Sequence, residues 1–434
     1  MSDNWWGDSL TYAARTDVGM RRSNNQDSYC VLPAASARLW RNRGHLFVVA
    51  DGMGAHAAGE FASRLATATV SQAYLKRTNQ NPSDALRDSI LEAHATIKRK
   101  GNSDPAFHGM GTTCDALVLL PYRALIGHVG DSRVYRLRNR VIEQMTFDHS
   151  LVWEIKYNQA PDSRRQEEHI PKNVITRSLG PTDELTVALE GPFETRPGDA
   201  FLLCSDGLTG QIADSEIGQV LEIMQPEEAT EFLVNLANLR GGPDNITVVV
   251  ARIKTEPDPN ALDSKKEEFY DKRPSLSGLA LTFVTLAAVA WVATLASFFI
   301  DGILVKILSF ISACVFTGLF VSFGRKTLFR LNMNGPEFEM SRLGKGPYTR
   351  ASAVATPEFN DKIALTCDDL CEVLKKDSFI TPDWEGIARA REQAKEAVEM
   401  KKYADAIRAN ISVVNYLMRE LRKFAQQKKK KTGK

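Results

Sequence analysis

Three short apolar runs, residues 45–50, 124–129 and 200–204, each deliver an aspartate into a turn: Asp51 before Gly52, Asp131 after Gly130, and Asp206 before Gly207. Runs of this kind, bounded by turn residues, read as buried strands. Strand ends are where a rigid sheet can hold side chains to within a fraction of an ångström. Two further acidic blocks, one ending at Asp27 and one at Asp244-Asn245, lie in the same first 250 residues. Carboxylates that converge without counter-charge repel one another and are pushed toward protonation. Bound divalent cations remove that conflict. An isolated aspartate before glycine is usually a turn residue; five such blocks together favour ligands. The pattern predicts a metal-dependent hydrolase.

At 434 residues the chain is too long for one small core, and its net charge of +2 gives no strong field. No nucleic-acid partner is expected. The six cysteines are dispersed and mostly set in apolar runs, as reduced, buried residues of a cytosolic protein would be. The N-terminus has neither the basic start nor the apolar stretch of a secretory signal. Residues 1–253 alternate strand-like and helix-like stretches and form one expected domain. A charged, proline-containing linker follows at 254–275.

Residues 276–324 then change character. The run 276–300 carries no charge, Asp301-Gly302 breaks it, and 303–323 is apolar except for Lys306. Each run meets the ~20 residues needed to cross a hydrocarbon core of ~30 Å. A transmembrane helical hairpin is expected, with Lys306 close enough to one end to snorkel. Lys265, Lys266, Lys272 and Arg273 precede it, and Arg325, Lys326 and Arg330 follow it. The positive-inside rule places both flanks, and both termini, in the cytoplasm of a two-pass inner-membrane protein.

Residues 325–358, rich in glycine and proline, are expected to be a second linker, and 359–434 a small helical tail. Thr366 is read as a helix cap with Leu370, Val373 and Leu374 buried, and Thr381-Pro382-Asp383 as a second helix start. A helical hairpin is expected over about 382–424. One face carries Ile387, Ala390, Ala394 and Val398, the other Tyr403, Ile407, Ile411, Val414, Met418 and Leu421. The hairpin somewhat resembles a single tetratricopeptide unit; an ordinary hairpin or a coiled-coil-like dimer contact fits it as well. A protein partner for the tail is a further expectation. Lys428–Lys431 read as a solvated tail, or as a lipid-attracted one.

Across residues 10–253 the motifs resemble the metal-dependent serine/threonine protein phosphatases of type 2C, in their bacterial form. They fall in family order: Arg22, Asn25 and Asp27 in the opening motif, Asp51-Gly52-Met53-Gly54 with His56, Gly111-Thr112-Thr113, Gly130-Asp131-Ser132-Arg133, Ser205-Asp206-Gly207 and Asp244-Asn245. The resemblance implies an α+β fold, a four-layer α/β/β/α sandwich, with two Mn2+ or Mg2+ ions at one end. Asp51 would bridge both ions with the Gly52 carbonyl on one. Asp206 and Asp244 would hold the second, Asp27 would act largely through water, and Asp131 would help bind a third, weaker ion. Arg22 would bind the substrate phosphate with its fork of donors. Hard oxygen ligands suit these metals. A water or hydroxide bridging the two ions would attack phosphorus and expel a serine or threonine alkoxide.

Two departures stand out. Gln26 replaces the family's usual glutamate, and Met53 stands where eukaryotic members carry histidine, which leaves the general acid unassigned: His56 is one candidate and metal-bound water another. Arg133 is read as able to form a structural ion pair. Residues 147–180 fit a flap beside the site, with Arg164, Arg165, Glu167 and Glu168 on it. The leading reading is a membrane-anchored phosphatase acting on phosphorylated proteins, opposing Ser/Thr kinases. The alternative is a catalytically weak phosphatase-like sensor or scaffold, favoured only by Gln26. A phosphatase of small molecules fits the same chemistry.

Overall fold

The computed structural model describes residues 9–54, 57–158, 174–254, 342–376 and 381–432, with side chains up to residue 427. Period-two alternation builds its centre. In β3 (His45–Met53), Phe47 and Val49 enter the core between two sheets, while Leu46, Val48 and Ala50 face away, toward the helix α2 (Ala58–Lys76). Both faces of the strand are therefore apolar, which is why it reads as a continuous run. One sheet has the order β1 (Leu10–Asp17), β11 (Ile246–Ile253), β10 (Ala200–Cys204), β7 (Arg133–Arg138), β8 (Val141–Gln144) and β12 (Thr349–Ser352). The other runs β2 (Asp27–Leu32), β3, β5 (Cys114–Leu120), β6 (Arg123–Val129) and β9 (Ala188–Glu194), with the short β4 (Gly111–Thr112) on β3. Every pairing is antiparallel.

The sheets pack through Phe47, Val49, Leu117, Phe201, Leu203 and Val249. Helix α2 and α3 (Pro82–Ser103) cover the second sheet. Two shorter helices are α1 (Ala37–Arg43) and α4 (Leu151–Asn158). On the first sheet lie α5 (Asp214–Ile223) and α6 (Pro226–Leu239). The α+β sandwich of four layers is thus present.

A fifth layer was not expected. Helices α7 (Pro357–Lys376), α8 (Trp384–Glu399) and α9 (Tyr403–Thr432) pack onto α5 and α6 and share one apolar cluster with them. Phe359, Ile363, Ile407, Ile411, Val414 and Leu417 are buried there against the cluster that holds Phe232 and Leu233. Polar groups lock the register: Asn235 Nδ2 donates to Asn415 Oδ1 at 2.9 Å, and Arg422 Nη2 to Asn235 Oδ1 at 2.6 Å. The tail belongs to the same compact unit as residues 1–256.

Three expectations for this region are corrected. The 325–358 linker contains β12, which pairs with the otherwise open edge of β8, Thr349 opposite Gln144 and Ser352 opposite Val141. A free edge offers unpaired backbone groups, and even a glycine- and proline-rich segment can satisfy them. Helix α7 starts nine residues before Thr366. Thr356 Oγ1 accepts the Phe359 amide at 3.2 Å with Pro357 next in line, whereas Thr366 lies within the helix and donates to the Lys362 carbonyl. Leu370 and Leu374 are buried as expected, but Val373 is 62% exposed. In α8 the cap is Asp383, whose Oδ1 accepts the Gly386 amide at 2.9 Å. The paired faces of α8 and α9 follow the expected pattern, with Ile387, Ala394, Ile407, Ile411 and Val414 buried.

The predicted membrane segment, 276–324, lies outside the described residues. Among those described, no helix is long and apolar enough to cross a membrane. His56, Arg164, Arg165, Glu167 and Glu168 also lie outside them. Of the cysteines described, Cys114, Cys204 and Cys367 are buried, Cys30 and Cys371 half-buried, and none is bridged.

Candidate active site

The site forms where strand ends from both sheets meet. Asp27 opens β2 and Asp51 lies in β3, and the register sets them directly opposite each other. Like charges in that relation repel. Asp206 follows β10 at the start of a single helical turn, Asp206–Thr209, and Asp244 immediately precedes Asn245 and β11. Asp131 sits in the turn between β6 and β7. Backbone contacts fix this arrangement. The Thr113 hydroxyl accepts the Asp51 amide at 2.9 Å, and the Asp51 carbonyl accepts the Thr113 amide and the Thr112 hydroxyl, both at 2.8 Å. Gly52 is buried with its amide on the Gln26 carbonyl at 3.1 Å, and a Cβ there would lie 2.0 Å from the Gly59 carbonyl oxygen. A Cβ on Gly207 would lie 1.9 Å from the Asn245 carbonyl oxygen. Only glycine lets these loops close to that degree.

The electrostatics carry the main signal. Burial, reinforced by Asp206 and Asp244 and partly offset by hydrogen bonds from Ser205 and Thr247, pushes Asp27 up to about 7. Burial also raises Asp51 well above the carboxylate range, with Asp27, Asp206, Asp131 and Asp244 all adding to it. Asp206 is raised by burial and by Asp244, and eased by a hydrogen bond with Asp51 and by Arg22. Asp131 is pushed up to about 7 by burial, Asp206 and Asp148. Asp27 Oδ1 and Asp206 Oδ1 are buried without a hydrogen-bond partner among the described residues. The carboxylates repel one another, and among the described residues only Asp244 is ion-paired with a cation, Arg22, which is the fit expected of a hard divalent cation site. Among the described residues they are not drawn into the tight grouping of three that would clasp an ion as they stand. Arg22 is the cation at the rim: half exposed, with Nη2 2.7 Å from Asp244 Oδ2. Arg21 and Arg22 are both exposed, and it is the ion pair with Asp244 that assigns the fork at the site to Arg22.

Three residues that the sequence reading placed in motifs without assigning a role support the site. Asn245 staples the opening loop: its Nδ2 donates to the Val18 and Asn24 carbonyls, each at 2.9 Å, and its Oδ1 accepts the Gln26 amide at 2.8 Å. Ser205 donates to Asp27 Oδ2 at 2.7 Å, and Thr113 shares a 2.8 Å hydrogen bond with Ser132. Asn245 and Ser205 are adjacent to Asp244 and Asp206, and Thr113 lies in the Gly111-Thr112-Thr113 motif, which was the available signal. Gln26 has its own explanation, since its Nε2 donates to the Gly54 carbonyl at 3.2 Å, a bond that a carboxylate cannot donate. Arg133 makes the structural ion pair expected of it, gripping both oxygens of Asp148 at 2.7 to 3.0 Å.

An antiparallel α/β/β/α sandwich with a half-buried carboxylate cluster at the strand ends defines a metal-dependent phosphatase domain. The sequence profile described as Protein phosphatase 2C matches residues 21–238. The chain belongs to this family, whose members are metal-dependent serine/threonine protein phosphatases using Mn2+ or Mg2+. Protein phosphatase PhpP of Streptococcus pneumoniae is 36% identical over 250 residues, which are 56% of this chain and 96% of that protein. Serine/threonine protein phosphatase PstP of Mycobacterium tuberculosis is 36% identical over 245 residues, 56% of this chain but 45% of its own length. The chain thus spans under half of that relative. A crystal structure of a variant bacterial serine phosphatase matches with a TM-score of 0.50 at 28% identity, covering 57% of this chain and 99% of that one.

Proposed function

We propose that this protein is a membrane-anchored phosphatase that hydrolyses phosphoserine and phosphothreonine in proteins, with two divalent cations held by Asp51, the Gly52 carbonyl, Asp206 and Asp244, Asp27 acting nearby, and Asp131 serving a third. The observation that supports it is the convergence of mutually repelling aspartates from both sheets, of which only Asp244 is ion-paired among the described residues. Bound cations would supply acidified water and offset the charge of the phosphoryl group. The chain's own residues do the rest. Asp27 and Asp206 present free carboxylate oxygens to the site. Arg22, at the rim, exchanges its contact with Asp244 for the phosphate of the substrate, to which its planar fork donates two hydrogen bonds. His56 is proposed to return a proton to the departing alkoxide.

The anchor reading rests on residues 276–324. One fact supports an even number of crossings: the residues before and after this segment belong to one compact unit. On this reading both flanks of the segment lie on one side of the membrane, and the cytoplasm is the side proposed. Phosphorylated membrane kinases, held in the same plane, are proposed partners. In inverted vesicles, protease should reach the residues on both sides of the segment; protection of either side would refute the hairpin.

The activity is tested with the full-length chain and a phosphothreonine peptide. Turnover with Mn2+ that chelator abolishes is expected. Turnover indifferent to chelator would overturn the reading.

A further inference from the structure

Residues 343–352 meet the sandwich at β8 and β9. Glu190 of β9 is buried, and among the described residues its side-chain donors come from the returning segment: the Gly346 amide at 2.9 Å, the Tyr348 hydroxyl at 2.5 Å and the Lys345 amide. The fit is close, since a Cβ on Gly344 would lie 1.9 Å from Glu190 Oε2. The Tyr348 ring meets Phe147 edge-on at 5.4 Å between centroids, and Phe147 meets Trp153 and Tyr157 of α4 in the same manner.

Two hydrogen-bond routes lead inward from this contact. In the first, the Tyr348 amide donates to the Gln144 carbonyl at 2.8 Å, and Gln144 Nε2 donates to Asp148 Oδ1 at 2.7 Å. In the second, Thr349 Oγ1 donates to Asp214 Oδ2 at 3.4 Å, the Tyr135 hydroxyl to Asp214 Oδ1 at 2.8 Å, and Arg133 Nη1 to the Tyr135 oxygen at 2.9 Å. Both routes end on the Arg133–Asp148 pair. Arg133 stands two residues after Asp131. His149, next to Asp148, brackets Gly130: its ring accepts the Gly130 amide at 3.1 Å and its own amide donates to the Gly130 carbonyl at 2.7 Å.

We propose that Tyr348 and Thr349 are positioning residues for the Asp131 loop, so that the strand returning from 255–341 sets the geometry of the weakest cation site. This rests on reading the aspartates as cation ligands. The match to PhpP takes up 96% of that protein with 56% of this chain, which leaves no counterpart there for the tail. The bracing is thus a property of chains that carry it.

The test uses the full-length protein in detergent. Gln144→Met keeps the length of the side chain that carries the first route but loses its donor to Asp148; Thr349→Val keeps the shape but loses the bond to Asp214. Mn2+ binding is followed by electron paramagnetic resonance, beside turnover and thermal unfolding. In the double variant the weakest class of Mn2+ sites should lose about three- to tenfold in affinity, with tighter sites unchanged. In an Asp131→Asn background the pair should have no further effect on binding. A lower melting temperature with an unaltered Mn2+ isotherm would refute the relay and leave only a structural role. Should the double variant fail to fold, Thr349→Val against Thr349→Ser decides: only valine should weaken Mn2+ binding, and equal isotherms would refute the relay. Loss of turnover in the wild type would refute the phosphatase reading instead, and the isotherms would still decide the relay.

Discussion

Asp206→Asn is expected to lower chelator-sensitive turnover by about a thousandfold, since a cation contributes several kcal/mol of transition-state stabilisation. The same variant should be more stable than the wild type when metal is removed. Asp206 is raised by burial and by Asp244, and its charge in turn raises Asp27, Asp51 and Asp131. Asparagine keeps the shape and removes one source of repulsion. The sign with pH follows from Asp27 and Asp131, both pushed up to about 7 from an ordinary 3.8. Between pH ~4 and ~7 the metal-free folded state holds more protons than the unfolded chain, so the contribution of these two groups to stability falls as pH rises through that window. Thermal unfolding in chelator at pH 5 and pH 8 checks this. The wild type should lose stability toward pH 8, and the variant should melt about a few degrees higher there. A variant that melts lower than the wild type at pH 8 without metal would contradict the repulsion.

Ending the chain after Lys254 should have the largest effect on stability. The truncation removes β12 and helices α7 to α9, including eleven buried tail side chains larger than alanine, among them Phe359, Ile363, Leu370, Leu374, Ile411 and Leu417. Burying each such side chain fully is worth about 1.5–3 kcal/mol, partly offset by the entropy of ordering the tail. The balance is large against a typical total stability of about 5–15 kcal/mol. It also bares α6, uncovers the edge of β8 and strips Glu190 of its donors. The fragment should aggregate, or melt at least about 10 °C below the intact protein. Cooperative unfolding at the same temperature as the intact chain would show that the tail is only an attachment.

The two regions differ in how far they could be read from sequence. The candidate site could be proposed from sequence because each of its aspartates sits in a local motif of two to four residues whose conformation is nearly self-determined, as with Asp51-Gly52 and Asp206-Gly207. Their convergence then follows from strand pairing, Asp27 opposite Asp51. The tail was legible only one helix at a time. Ile387, Ile407 and Ile411 were identified as lying on apolar faces, but amphipathicity says which face is covered and not what covers it. That the cover is α6 depends on long-range contacts such as Asn235 with Asn415. β12 was hidden for a related reason. The sequence Thr-Arg-Ala-Ser has no strand pattern of its own, and the segment is a strand because β8 has a free edge. Thr366 misled because a threonine before two acidic residues resembles a helix start, whereas Thr356 with Pro357 is the real one.

Calorimetric titration of the metal-free, full-length protein with Mn2+ at pH 7 tests the central claim most directly. At least two ions should bind, with release of protons from the raised aspartates, and Asp206→Asn should lose at least one of them. Absence of Mn2+ binding, or binding that Asp206→Asn leaves unchanged, would contradict a cation cage built from these carboxylates.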